Sequence, residues 1–208
     1  MKYITILLIA LLHLPAWGQQ SNSSNRKSQI EHCTKPIYSI TEFWQIADSL
    51  QMTIDELSDY PVIFPIKKVQ HISSGFGMRK HPYYKRRRFH TGIDIPKAKG
   101  APVYSTGNGT VIGRGYDVGY GYFIEIQHAS SFRSFYAHLS RILVNVGERV
   151  SITQQIACVG STGVATGSHL HYEVRKGNRY LNPIGWCSRL KYGTNANTKL
   201  FNRQSHNT

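Results

Sequence analysis

From about residue 66 onward, short runs rich in Val, Ile, Tyr and Phe are separated by Gly-containing turns, and no long helical period interrupts them. No other feature constrains this chain as strongly. Closely spaced strands with turn signals close into sandwiches or barrels, whereas a doubly wound α/β fold needs long helices between its strands. The pattern predicts strands over 71–75, 102–105, 109–114, 122–128, 133–138, 155–159 and 169–175. A hydrophobic content of 40% against 17% charged residues is enough to bury a core and argues against wholesale disorder. The expected fold class is mainly β: an antiparallel β-sandwich preceded by a short α-helical segment.

The chain divides into five stretches. Residues 1–18 combine a positive start at Lys2, an apolar run broken by His13 and Pro15, and the small residues of Ala16-Trp17-Gly18. This is the pattern of a cleaved signal peptide, and the run falls short of the ~20 apolar residues of a spanning helix. Residues 19–40 open on a polar, Ser/Asn-rich stretch and read as a flexible leader. Residues 41–65 are helical in period, with Thr41 able to cap. A second helix start is expected at Thr53, where Asp55 and Glu56 follow. Residues 66–187 form the main domain, and 188–208 a polar tail.

Export gives the charge and the cysteines their meaning. The formal net charge is +14, so the chain should be drawn to polyanions. Outside the cytoplasm that partner is an acidic envelope polymer rather than nucleic acid, for which no motif is present. Cys33, Cys158 and Cys187 make an odd count, and no CxxC spacing suggests a cysteine zinc site. Cys158 lies in an apolar run and reads as a core residue. A disulfide between Cys33 and Cys187 would tie the ends of the main domain together.

Two short patterns carry chemistry. In His90-Thr91-Gly92-Ile93-Asp94, β-branched neighbours argue for extended chain, and an even step puts His90 and Asp94 on one face with Gly92 between them. In His169-Leu170-His171, strand period 2 sends both imidazoles to one face and Leu170 to the other. Zinc accepts imidazole nitrogen and carboxylate oxygen together, and a catalytic zinc keeps three protein ligands and one open position. His90, Asp94 and one of His169 and His171 complete that count. His138, at the end of an aromatic strand, is ordinary by itself, and His128 is its main decoy.

The stretch from about residue 71 to 183 resembles the M23 peptidases, the lysostaphin-like or LytM-type zinc endopeptidases of bacterial cell walls. The matching pieces are Ser73-Ser74-Gly75-Phe76-Gly77-Met78-Arg79, the His90–Asp94 pattern, Gly100-Ala101-Pro102-Val103 and Gly119-Tyr120-Gly121. Tyr136-Ala137-His138-Leu139, Gly160-Ser161-Thr162-Gly163 and Gly167-Ser168-His169-Leu170-His171-Tyr172-Glu173 follow in order. The resemblance implies one Zn2+ per chain held by His90, Asp94 and His171. It implies His138 and His169 as the catalytic pair, and Tyr84, with Tyr83 as rival, as a residue stabilising the transition state. It further implies peptidoglycan as partner and substrate, and hydrolysis of stem or cross-link peptide bonds. The signal pattern implies export to the periplasm or cell envelope, or secretion, and with no later segment able to span a bilayer no stable transmembrane association is expected. The alternative is a non-catalytic LytM-type module that binds the wall or activates an amidase. The basic run from Arg79 to Arg88 leads into His90 and would rim the cleft.

Overall fold

The computed structural model describes residues 23–80 and 85–187. The signal sequence expected over 1–18, Tyr83 and Tyr84, and the tail from residue 188 lie outside the described residues.

Three helices come first: α1 (Ser23–Thr34), α2 (Ile40–Ser49) and α3 (Ile54–Leu57). Helix α1 occupies part of the stretch read as a flexible leader. Its own sequence buries only Ile30 and Thr34, so contacts from outside hold it in place. Arg26 Nε donates to Glu56 Oε1 at 2.8 Å, and Thr34 Oγ1 lies 2.7 Å from Ser130 Oγ. Local composition does not register such tertiary support. Ser39 rather than Thr41 caps α2, accepting from the Glu42 N–H. Helix α3 begins where Thr53 predicts, with a reciprocal capping box between Thr53 and Glu56.

The remainder is mainly β: β1 (Gly77–Lys80), β2 (Arg87–His90), β3 (Ile93–Pro96), β4 (Pro102–Tyr104), β5 (Gly109–Asp117), β6 (Gly121–Gln127), β7 (Phe132–Ile142), β8 (Arg149–Val150), β9 (Gln155–Val159), β10 (His169–Lys176) and β11 (Arg179–Leu181), closed by the short α4 (Pro183–Cys187). Every described pairing is antiparallel. The runs expected from residue 102 onward are strands. The one expected over 71–75 contributes only a bridge from Ser74 to Asp94. The strand starts instead at Gly77, whose φ of 110° suits glycine and turns the chain into a two-stranded hairpin of β1 with β2.

Strands β7 and β10 pair with each other and organise the molecule. β10 also receives β3 along its first half and β11 along its second. The residues Ile93, Ile95, Leu170, Tyr172 and Val174 alternate onto one buried face. At the far end of these strands the helices dock through Phe43, Tyr60, Phe132 and Trp186, whose neighbouring ring centroids lie 4.7–6.1 Å apart. Burying each such ring contributes roughly 1.5–3 kcal/mol. Lys176 ends β10 there, fully buried, its Nζ donating to the carbonyls of Thr34 (2.6 Å) and Ile37 (2.5 Å). Seven residues of extended chain, about 23 Å, separate Lys176 from His169. The helices therefore pack away from the imidazoles.

All three cysteines carry free thiols, so the expected Cys33–Cys187 bridge is not formed. Cys187 is instead fully buried in the apolar core, with its Sγ 3.9 Å from the Pro61 carbonyl.

Candidate metal centre

His90 and Asp94 do not share one strand, contrary to the expectation from their spacing. His90 ends β2 in the hairpin, Asp94 lies in β3 of the large sheet, and the chain crosses between them at Thr91-Gly92. Gly92 also serves a purpose beyond the one its position suggests. A Cβ there would overlap the Tyr172 carbonyl, so glycine is required for β10 to approach and not merely as a spacer between two ligands. Asp94 is directly opposite His171 in the β3–β10 register, which brings the two side chains onto one face.

Three ligand atoms converge. His90 Nε2 lies 3.2 Å from Asp94 Oδ1, His171 Nδ1 lies 2.9 Å from the same oxygen, and the two nitrogens are 3.1 Å apart. A tetrahedral ion with bonds of roughly 2.0–2.1 Å would span edges of about 3.3 Å, so this N,N,O set fits a four-coordinate cation. His138 and His169 stand beside it, with ring centroids 4.7 Å apart, and His169 Nε2 lies 3.8 Å from Asp94 Oδ1. The structure thus brings together five of the six predicted site residues, Tyr84 being outside the described residues.

Each of the four imidazoles has one nitrogen committed to an acceptor. Nδ1 of His90 lies 2.7 Å from the Gly75 carbonyl, Nδ1 of His138 lies 2.8 Å from that of Thr162, and Nδ1 of His169 lies 2.9 Å from that of Gly167. A carbonyl can only accept, so each Nδ1 carries a proton, and in the neutral ring Nε2 holds the lone pair. His171 is reversed: its Nε2 donates to Glu173 Oε1 at 3.0 Å, which leaves Nδ1 for the shared point. Such outer contacts fix which nitrogen faces a metal.

Sequence reasoning gave Glu173 no role of its own, although the period-2 step from 169 and 171 to 173 was there to find it. Glu173 is fully buried and accepts from Thr91 Oγ1, Tyr120 Oη and Arg175 as well as from His171. Burial opposes its ionisation, but His171 and Arg175 outweigh that and bring its pKa down to about 2. Asp94 follows the same logic. Its burial is overcome by His171 and His90, which hold the carboxyl well below the usual range. Burial disfavours charge on His171 too, yet its two carboxylate partners raise its pKa to about 9. His138 goes the other way, pushed down to about 4 chiefly by burial, and is neutral at neutral pH.

The strand bearing His138 is irregular. Its φ is +57°, a left-handed conformation that favours glycine, and the register with β6 shifts nearby. The site opens into a cleft of about 460 Å3, walled by Arg79, Phe89, Tyr120 and Thr166 as well as by the imidazoles.

A sequence profile described as Peptidase family M23 matches residues 88–183. Peptidoglycan DD-endopeptidase ShyA of Vibrio cholerae is 40% identical over 122 residues, which cover 58% of this chain and 28% of ShyA. The chain spans about a third or less of the length of the first curated relatives it matches. The crystal structure of a zinc-containing peptidase from Vibrio cholerae aligns with a TM-score of 0.55 at 42% identity, covering 58% of this chain and 38% of that one. A variant catalytic domain of the prophage-encoded M23 protein EnpA from Enterococcus faecalis aligns with a TM-score of 0.52 at 31% identity, covering 59% of this chain and 95% of that domain.

Proposed function

Since the chain belongs to peptidase family M23, we propose that it is a zinc-dependent endopeptidase that hydrolyses peptide bonds in peptidoglycan stems or cross-links. His90, Asp94 and His171 would hold the zinc ion, one per chain. The observation that carries the reading is the convergence of these three ligand atoms, with the opposite nitrogen of each imidazole already committed to Gly75 or Glu173. A zinc ion bound in such a set makes water acidic near neutral pH and polarises a carbonyl.

The chain's own groups supply the rest. His138 presents a neutral Nε2 to the cleft, and His169 presents its Nε2 beside Asp94. One of these lone pairs takes the proton of the attacking water as the C–O bond forms. The resulting N–H then delivers it to the amine as the C–N bond breaks. Thr162 and Gly167 keep both rings in the orientation this transfer needs. The relative named a peptidoglycan DD-endopeptidase supports the substrate class, and the signal-like residues 1–18 support action in the cell envelope.

The test is digestion of purified peptidoglycan by the protein lacking residues 1–18, with and without chelator, followed by mass analysis of the fragments. New fragments that chelator suppresses and zinc restores are expected. Unaltered muropeptides under zinc-replete conditions would overturn the reading.

A further inference from the structure

Arg79 stands where two hollows meet. The cleft over the three ligands and a second hollow of about 760 Å3 share Arg79, Asp94, Thr166 and His169 among their lining residues. The second hollow is walled largely by the 73–80 and 166–169 segments. Together they form one groove whose two parts meet beside the candidate metal centre. Arg79 Nη2 lies 3.4 Å from Asp94 Oδ2, the oxygen that the His90–Asp94–His171 cluster does not use. Its Nε is buried and has no hydrogen-bond partner among the described residues. A buried guanidinium donor left unsatisfied is costly, and a guanidinium presents its donors as a fork that fits a carboxylate.

Charge gives the missing partner its sign. The second hollow is lined by Arg79 and Lys80 as cations, and Asp94 is its one carboxylate among the described residues. Asp94 is already committed to His90 and His171 through Oδ1. Once a cation shares that carboxylate, Arg79 and Lys80 face the second hollow without a full counter-charge there. A neutral stretch of peptide would leave them so, whereas a carboxylate would neutralise them.

We propose that Arg79 is a substrate-binding residue that reads a free α-carboxylate on the residue leaving from the scissile bond. The inference rests on the peptidase reading above and narrows it: the preferred bond is one whose amine-side residue keeps its carboxyl group free. Lys80 adds charge to the same hollow without the fork.

The probes are a short N-acylated peptide ending in D-Ala-D-Ala and the same peptide as its C-terminal amide. Binding is measured by calorimetry on zinc-loaded His169→Ala protein, and cleavage on the zinc-loaded wild type. The acid is expected to bind, and to be cleaved, roughly 10- to 100-fold better than the amide. Arg79→Gln should bring that ratio close to one while zinc content stays at one per chain. Arg79→Lys should keep a smaller preference. Equal binding of acid and amide to the His169→Ala protein would overturn the inference. So would an Arg79→Gln protein that loses zinc and weakens both peptides alike, since Arg79 would then merely position Asp94. Absence of cleavage with the binding preference intact would count against the peptidase reading and leave Arg79 as a carboxylate-binding residue.

Discussion

The two ends of β7 and β10 bury similar polar groups and use them differently. His128 and His138 make the cleanest pair. Both are buried, both are pushed to a pKa of about 4 chiefly by burial, and both have Nδ1 on a backbone carbonyl, of Asn108 and Thr162 respectively. At the helical end, His128 Nε2 is also satisfied, 2.7 Å from Ser134 Oγ, in a network that continues to Tyr136 and Thr106. At the cleft end, His138 Nε2 has no hydrogen-bond partner among the described residues and faces His169. Burial and a shifted pKa are therefore shared by a structural histidine and a candidate catalytic one. What separates them is an uncommitted nitrogen that converges with others on one point.

The comparison breaks first at the cluster. Replacing His171 by Ala removes one of the three ligands and the imidazole that bridges Asp94 and Glu173, so the protein should bind no zinc and hydrolyse no peptidoglycan. His128→Ala should still bind zinc. Metal content by mass spectrometry, read together with muropeptide release, checks both. Equal zinc content in the two variants would erase the distinction.

The next largest effect separates the two low-pKa histidines by activity. His138→Ala should lower kcat by about 10²- to 10⁴-fold with zinc retained, the usual worth of a positioned acid–base group. His128→Gln, assayed where it remains folded, should change kcat by far less. A comparable loss in both would mean that His138 is structural as well.

Acid stability should weigh the two histidines alike, since burial depresses both to about 4. The native state holds His128 neutral down to about pH 4, while the unfolded chain protonates it near its ordinary value of about 6.5. Between those values the unfolded state binds more protons. Stability is thus fully present above about pH 6.5 and falls by roughly 3 kcal/mol as pH drops to 4. Denaturant titrations of His128→Gln should show a shallower slope in this window, whatever the variant's stability at neutral pH. An unchanged slope would reject His128 as the source.

Much of this arrangement is legible in the sequence because strand period is simple. Steps of two placed His169 and His171 on one face, and the Val/Ile/Tyr/Phe runs located most of the sheet. The illegible parts have physical causes. β2 reads as a charged loop, since Arg87, Arg88 and Phe89 are all exposed in a hairpin that buries only His90. α1 has too polar a sequence to announce a helix and relies on Arg26, Thr34 and Lys176 for its anchorage. The left-handed backbone at His138 is a consequence of how β7 meets β6, a long-range register that no local pattern encodes. The role of Gly92 likewise depended on β10, eighty residues away in the chain.

Glu173 sharpens the comparison most finely, because it belongs to the cleft end without touching the shared point. It accepts from His171 Nε2, and so turns Nδ1 toward Asp94 and His90. Its charge is in turn balanced by Arg175, whose guanidinium lies 4.3 Å from the Phe135 ring centroid. Glu173→Gln keeps the shape and an acceptor but removes the charge, so His171 becomes a weaker donor to the metal and a less firmly oriented one. Zinc affinity should fall by about 10- to 100-fold, the usual range for an outer-shell partner. Competition with a chromophoric chelator measures this directly. Lys176→Met, at the helical end of the same strand, removes a buried charge of comparable prominence and should leave that affinity unchanged. If Glu173→Gln binds zinc as tightly as the wild type, Glu173 is only a fold-supporting ion pair, and the difference between the two ends narrows to the four imidazoles and Asp94.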